Sequence, residues 1–189
     1  MTDISQLSYR QEGNLLEDII KNENHESRGR IIIVDDEPNL VSAMVEYLVE
    51  YCGYKVDYVN NAKDAFDVIK KANEAKTPYH LLISDIKMPE IDGPGLLEML
   101  KGEPNLSNIH ALFSSGNYTN EQENRIKSLG NYDILIKPFK ITEYLPKIRD
   151  LVNQGKKLYS SNKSDSEILN DTHGGFLCGF PISQHYNGK

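Results

Sequence analysis

Between Arg30 and Val152 the chain repeats one unit five times: a short apolar run closed by a polar residue, then a stretch of helical periodicity. The first run, Arg30 to Val34, is rich in β-branched residues and unbroken by polar ones, the pattern of a strand covered on both faces. Asp35 and Asp36 end it. From Pro38 to Tyr51 the residues Leu40, Val41, Met44, Val45, Leu48 and Val49 recur at helical spacing, with Pro38 near the first turn and Gly53 as the stop. Lys55 to Val59 alternates as a strand, and Asn61 is placed to cap a helix running through Ala65, Phe66, Val68, Ile69 and Ala72. Thr77-Pro78 breaks that helix. His80 to Ser84 is a third strand ending at Asp85, and Pro94 to Lys101 a short helix. Ile109 to Ser114 is a fourth strand, and Asn120 to Leu129 a helix stopped by Gly130. Tyr132 to Ile136 is a fifth strand, ended by Lys137-Pro138, and Ile141 to Val152 the last helix. Such alternation predicts an α/β fold: a doubly wound, five-stranded parallel sheet with helices on both faces.

Composition narrows the functions such a fold can serve. The chain has 189 residues, with 21 basic and 28 acidic side chains and a formal net charge of -7. Direct nucleic-acid binding is not expected, because phosphate contacts need a basic face. Two cysteines, Cys52 and Cys178, exclude a disulfide scaffold and a multi-cysteine zinc site and suit a reducing cytoplasm. No apolar run reaches the roughly 18–20 residues of a membrane span, and no signal-peptide core lies near Met1. The expected location is cytoplasmic. The domain is placed at 29–153. Residues 1–28 read as an extension in which Leu15, Leu16, Ile19 and Ile20 have amphipathic helical spacing. Residues 154–189 read as a Lys/Ser/Asn-rich linker and tail with one apolar cluster, Phe176, Leu177, Phe180 and Ile182.

In open parallel sheets, ligands sit outside the carboxyl ends of the strands. Here those ends carry Asp35, Asp36 and Glu37, then Asp85, then Ser114, Ser115 and Gly116, then Lys137. Clustered carboxylates repel unless they share a proton or a cation. An all-oxygen donor set without Cys or His selects a hard ion, and Mg²⁺ fits because it takes one or two carboxylates with waters and a phosphate. One carboxylate can then act as nucleophile toward a phosphoryl group. A lysine neutralises a phosphoryl oxygen as a point charge, and a serine hydroxyl bonds another.

The segments IIIVDDEP, LLISDIKMPEIDGPGLLEML, ALFSSG and ILIKPF resemble the receiver domain of two-component response regulators, in order and at family-like separations over about two-thirds of the chain. The resemblance implies a (βα)5 flavodoxin-like fold and a Mg²⁺-dependent phosphoryl acceptor. Asp85 stands at the phospho-accepting position. Asp36 matches the direct metal ligand, Asp35 the partner that holds the metal through water, and the main-chain carbonyl of Lys87 a further ligand. Ser115, rather than Ser114, matches the hydroxyl that binds the phosphoryl group, because Gly116 matches the small residue after it. Lys137 matches the site lysine, and the bond before Pro138 is expected cis, aiming that lysine into the site. Gly93 permits the tight loop after the third strand. Three positions depart from the pattern. Ile134 stands where an aromatic commonly reports the switch on the output face. Lys87 places a long cation near the site, where it pairs with Glu37, meets a phosphoryl oxygen or reaches solvent. Asn117 stands two residues after Ser115, at a position that bears on hydrolysis.

The leading expectation is therefore a phosphorelay switch rather than an enzyme. The implied donor is a histidine kinase or histidine phosphotransfer protein meeting the Leu40, Ala43 and Met44 face and the loop after Lys137. The implied reader is a downstream protein, or a second copy of the chain forming a homodimer, on the helix four–strand five–helix five face. About 36 residues follow Asn153, without a basic recognition helix or catalytic motif, which suits a stand-alone receiver or a fragment of a longer regulator. Two readings compete. A phosphorylation-independent pseudo-receiver would use its surfaces alone. A haloacid-dehalogenase-like phosphatase would need Asp-x-Asp after the first strand, where Asp35-Asp36-Glu37 stands, and a substrate-covering cap that no insertion supplies.

Overall fold

The computed structural model describes residues 28–161 except 108 and 131. The Leu15–Ile20 helix and the Phe176–Ile182 cluster lie outside the described residues. Five strands form one parallel sheet: β1 (Arg30–Val34), β2 (Lys55–Val59), β3 (Leu81–Asp85), β4 (His110–Ser115) and β5 (Tyr132–Ile136), in the order β2-β1-β3-β4-β5. The helices are α1 (Pro38–Glu46), α2 (Ala62–Glu74), α3 (Gly93–Gly102), α4 (Asn120–Leu129) and α5 (Ile141–Ser161). This is the doubly wound arrangement that the alternating pattern predicts.

Strand side chains alternate between two cores. Ile32, Val34, Leu82, Ala111 and Phe113 pack with α2, α3 and Ile126 of α4. Ile31, Ile33, Leu81, Ile83, Leu112 and Leu135 pack with Val41 of α1 and with Tyr144, Leu145 and Ile148 of α5. The three central strands are therefore buried on both faces, which is why they are almost uninterrupted apolar runs. Asn61 caps α2, accepting a hydrogen bond from the Asp64 N–H at 2.8 Å. Thr119 and Gln122 form a capping box at the start of α4.

Two elements differ from the sequence-based expectation. The helix expected from Pro38 to Tyr51 changes to a π-helical turn over Tyr47–Tyr51, where the Cys52 N–H reaches the Tyr47 carbonyl at 3.2 Å. Gly53, at φ 67°, then ends it, with the Tyr54 N–H returning to the Leu48 carbonyl at 2.9 Å. The wider turn buries Leu48 and stacks the rings of Tyr47 and Tyr51 at 4.9 Å. The second difference is the last helix, which runs to Ser161 and takes up the first eight residues of the segment read as a linker. Its added turns are docked. The Tyr159 hydroxyl donates to Asn73 at 2.6 Å, and its ring meets His80 edge-on at 6.0 Å. Gly155 lies so close to the His80 carbonyl that a Cβ there would stand 2.2 Å from the oxygen. Polar composition read these residues as solvated; contact with the amino-terminal edge of the sheet makes them helix.

Candidate functional site

Three strands deliver the acidic site. Asp35 directly follows β1, Asp85 is the last residue of β3, and Lys137 follows β5. The Lys137 ammonium donates to Asp35 Oδ2 at 2.9 Å and to Asp85 Oδ1 at 3.0 Å, joining residues 102 and 52 positions apart. Both carboxylates are largely buried, with 7% and 13% of their side-chain surface exposed. Their second oxygens are also engaged: Asp35 Oδ1 accepts the Glu37 N–H at 2.9 Å, and Asp85 Oδ2 accepts the Lys87 N–H at 2.8 Å. Burial pulls the Lys137 pKa down, but its bonds to Asp35 and Asp85 outweigh this and the net shift is upward. The bond preceding Pro138 is cis. Beside the site lies a cavity of about 380 Å³, lined by Val41, Met44, Ser114, Pro138 and Phe139 and reaching Asp35 and Lys137.

A profile of the response regulator receiver domain matches residues 31–149. The chain belongs to the receiver domain family. Among curated relatives, the probable transcriptional regulator ycf29 of Porphyra purpurea is 34% identical over 122 residues, covering 65% of this chain and 56% of the relative. The chain thus spans about half the length of that regulator. The receiver domain of a signal transduction histidine kinase from Syntrophus aciditrophicus is 27% identical with a TM-score of 0.57, covering 73% of this chain and 96% of that one. The receiver domain of the sensor histidine kinase PA1611 from Pseudomonas aeruginosa shares the fold at 20% identity and TM-score 0.57, covering 67% and 99%. That structure carries a magnesium ion coordinated in its active-site cleft.

Within this receiver the expected site residues divide into two groups. Asp35, Asp85 and Lys137 are in direct contact. Asp36 and Glu37 are exposed beside them, and Glu37 precedes Pro38 at the start of α1. The Lys87 side chain is exposed, and no ion pair joins it to Glu37 among the described residues. The Ser115 hydroxyl is turned into its own loop. It donates to the Asn117 carbonyl at 2.9 Å and accepts the Asn117 N–H at 3.3 Å, in a residue only 2% exposed. The Ser115 carbonyl instead receives the Lys137 N–H at 2.8 Å, tying β4 to the site lysine through the backbone. Gly116 has open space around it, and Ile134 is half-buried against the core that holds Phe113 and Ile126.

Gly93 permits the tight loop after β3, as expected, and does so by leaving room. Its φ is not left-handed; the loop's positive φ, 64°, falls on Glu90. Glycine is needed for room, because a Cβ at position 93 would meet the Asp85 carbonyl oxygen at 2.2 Å and Ser84 Oγ at 2.8 Å. Tyr58 is a site neighbour that side-chain type alone did not reveal. Its hydroxyl donates to the Asp35 carbonyl at 2.9 Å. Burial raises its pKa, and the charges of Asp35 and Asp36 raise it further. The available signal was positional: Tyr58 lies one residue from the carboxyl end of β2, the strand beside β1.

The donor chemistry fits a hard divalent ion: carboxylates and main-chain oxygens, without Cys or His at this edge. Among the described residues, however, no three acidic, His or Cys groups converge as a ready cage. The Lys137 ammonium supplies the positive charge between Asp35 and Asp85 in this conformation. Two carboxylates meet the protein share of a typical Mg²⁺ site, the remaining positions being taken by water and phosphate oxygens. No helix among the described residues is long and apolar enough to cross a membrane.

Proposed function

We propose that this receiver takes a phosphoryl group onto Asp85 from a histidine kinase or histidine phosphotransfer protein and uses it to switch a protein-binding face. The observation that carries the reading is the pair of hydrogen bonds that the Lys137 ammonium donates to Asp35 and Asp85. A carboxylate held at a strand end beside a half-buried ammonium is ready to receive an anionic group whose added charge that ammonium neutralises. Asp35 and Asp36, with Asp85 and the Lys87 carbonyl, would hold Mg²⁺, which when bound screens the negative charge of the incoming phosphoryl group.

In the transfer, an Asp85 carboxylate oxygen forms the new O–P bond as the donor's N–P bond breaks, and the N–P electron pair returns to the imidazole. Lys137 stays with the acquired charge. Ser115 leaves its bond to the Asn117 carbonyl and turns its hydroxyl to a phosphoryl oxygen. Because Ser115 also holds the Lys137 N–H, this turn strains the β4–β5 edge and biases the packing of Ile134 and α4. The chain accepts the group on itself, which makes it a regulatory element rather than a turnover enzyme.

Intact-mass analysis after incubation with acetyl phosphate and Mg²⁺ tests the proposal. The expected result is a single phosphoryl adduct on the wild type, absent from Asp85→Asn and abolished by chelator. A folded, Mg²⁺-binding protein that takes no adduct from acetyl phosphate or from phosphorylated histidine donors would instead be a phosphorylation-independent interaction module.

A further inference from the structure

We propose that Arg125 is a positioning residue for phosphoryl uptake, acting on Asp85 through Asp92 and Gly93; this rests on the phosphoryl-acceptor reading above. Arg125 lies on α4 and reaches back to the start of α3. Its Nη1 donates to both Asp92 oxygens, at 3.0 and 2.8 Å. Its Nε and Nη2 donate to the two Glu98 oxygens, at 2.7 and 2.8 Å. One guanidinium thus grips two carboxylates, Glu98 in fork geometry through Nε and Nη2 and both oxygens of Asp92 through Nη1, unlike single-contact surface pairs, which contribute little.

Asp92 is the exit post of the loop that begins at the acceptor. As the N-cap of α3, its Oδ1 also accepts the Gly95 N–H at 2.8 Å. The next residue, Gly93, donates its N–H to the Ile86 carbonyl at 3.1 Å and lies against the Asp85 peptide without room for a Cβ. Gly95 also leaves space: a Cβ there would stand 2.8 Å from Asp92 Oδ1 and 3.3 Å from Arg125 Nη2. At its other end the loop is anchored by the Ile86 N–H on the Ser114 carbonyl at 3.1 Å and the Lys87 N–H on Asp85 Oδ2. The loop between Asp85 and Gly93 is therefore pinned at both ends, and Arg125 is the side chain that holds the second pin from another helix. Releasing Asp92 frees Gly93 to move off the Asp85 peptide and loosens the Lys87 main chain that touches the acceptor.

The test compares Arg125→Gln, Arg125→Lys, Asp92→Asn and Glu98→Gln in the full chain. Arg125→Gln is expected to lower the maximal rate of adduct formation with acetyl phosphate, and the Mg²⁺ affinity measured by calorimetry, by about threefold to tenfold. The half-saturating acetyl phosphate concentration stays unchanged, because Arg125 does not touch the donor. Asp92→Asn keeps a capping side chain but loses the ion pair, so it matches Arg125→Gln, and the double variant adds nothing further. Glu98→Gln leaves the Asp92 bond in place and stays near wild type, while Arg125→Lys recovers part of the loss. Amide exchange at Gly93 and Gly95 quickens in Arg125→Gln and Asp92→Asn, without matching changes at core amides of β4. Wild-type rate, Mg²⁺ affinity and Gly93 exchange in both variants would overturn the proposal, as would a uniform loss of protection across the fold. If Arg125→Gln does not fold, Asp92→Asn decides alone. A wild-type protein that takes no phosphoryl group overturns the functional reading, and Gly93 exchange then judges Arg125 independently.

Discussion

The charge balance at the site turns on Lys137. Its ammonium, 22% exposed, stands between two carboxylates that are more buried still. Removing it leaves Asp35 and Asp85 facing each other without a counter-charge, so Lys137→Met is expected to lower unfolding free energy by about 1–3 kcal/mol in metal-free buffer. Added Mg²⁺ should narrow that gap by supplying the missing positive charge. Urea titrations with and without Mg²⁺ check both statements, and a variant as stable as wild type without metal would contradict them. Gly93 gives the other prediction at this scale. A methyl group 2.2 Å from the Asp85 carbonyl oxygen has to displace backbone rather than a flexible side chain. Gly93→Ala should therefore cost about 1–3 kcal/mol and slow adduct formation at Asp85 in the same protein.

Among the elements, α5 shows how tertiary contact overrides local preference. Glycine inside a helix ordinarily weakens it, so replacing one with alanine would be worth up to about 1 kcal/mol. Gly155 should behave in the opposite sense, because its Cβ would stand 2.2 Å from the His80 carbonyl oxygen and 3.0 Å from its carbon. Gly155→Ala is expected to reduce stability by about 1–2 kcal/mol, the contact penalty exceeding the propensity gain. Chemical denaturation measures the change, and a stabilised variant would show that the last turns of α5 are not packed as described. The docking has a second cost if broken: Tyr159 would lose both its bond to Asn73 and its contact with His80.

For the molecule as a whole, the neutral His80 links stability to pH. Its Nδ1 accepts the Arg30 N–H at 2.9 Å, which places His80 between the start of β1 and the end of α5. Burial lowers its pKa from the ordinary 6.5, the charges of Lys156 and Arg30 lower it further, and the Arg30 N–H donated to Nδ1 requires the neutral ring. His110 shifts in the same direction, through burial and the charge of Lys101. A histidine whose pKa is lower folded than unfolded favours the folded state fully above the unfolded value. That contribution is lost as pH falls from about 6.5 through the folded value, because the unfolded chain takes up the proton more readily. Urea midpoints should accordingly fall as the pH drops below about 6.5. His80→Asn should flatten that slope while costing stability at neutral pH; an unchanged slope would remove His80 as its source.

Apolar periodicity is local, so the order and type of the elements from Arg30 to Ile136 could be read without coordinates, with the stop at Gly53 and the cap at Asn61. The carboxyl-edge rule for parallel sheets extended that reading to Asp35, Asp85 and Lys137, because strand direction alone sends their side of the sheet to one edge. The remaining features depend on which atoms arrive from elsewhere in the chain. The partner of the Ser115 hydroxyl depends on how its loop folds back. Gly93 is required by the proximity of the Asp85 carbonyl rather than by its own dihedral angle. Residues 154–161 are helical because His80 and Asn73 meet them, and Arg125 matters because α3 brings Asp92 and Glu98 within reach. Sequence by itself determined the sheet, its helices and the edge where the charges gather; only the tertiary structure decided which groups touch, since contact distances are set by packing between segments that no local pattern connects.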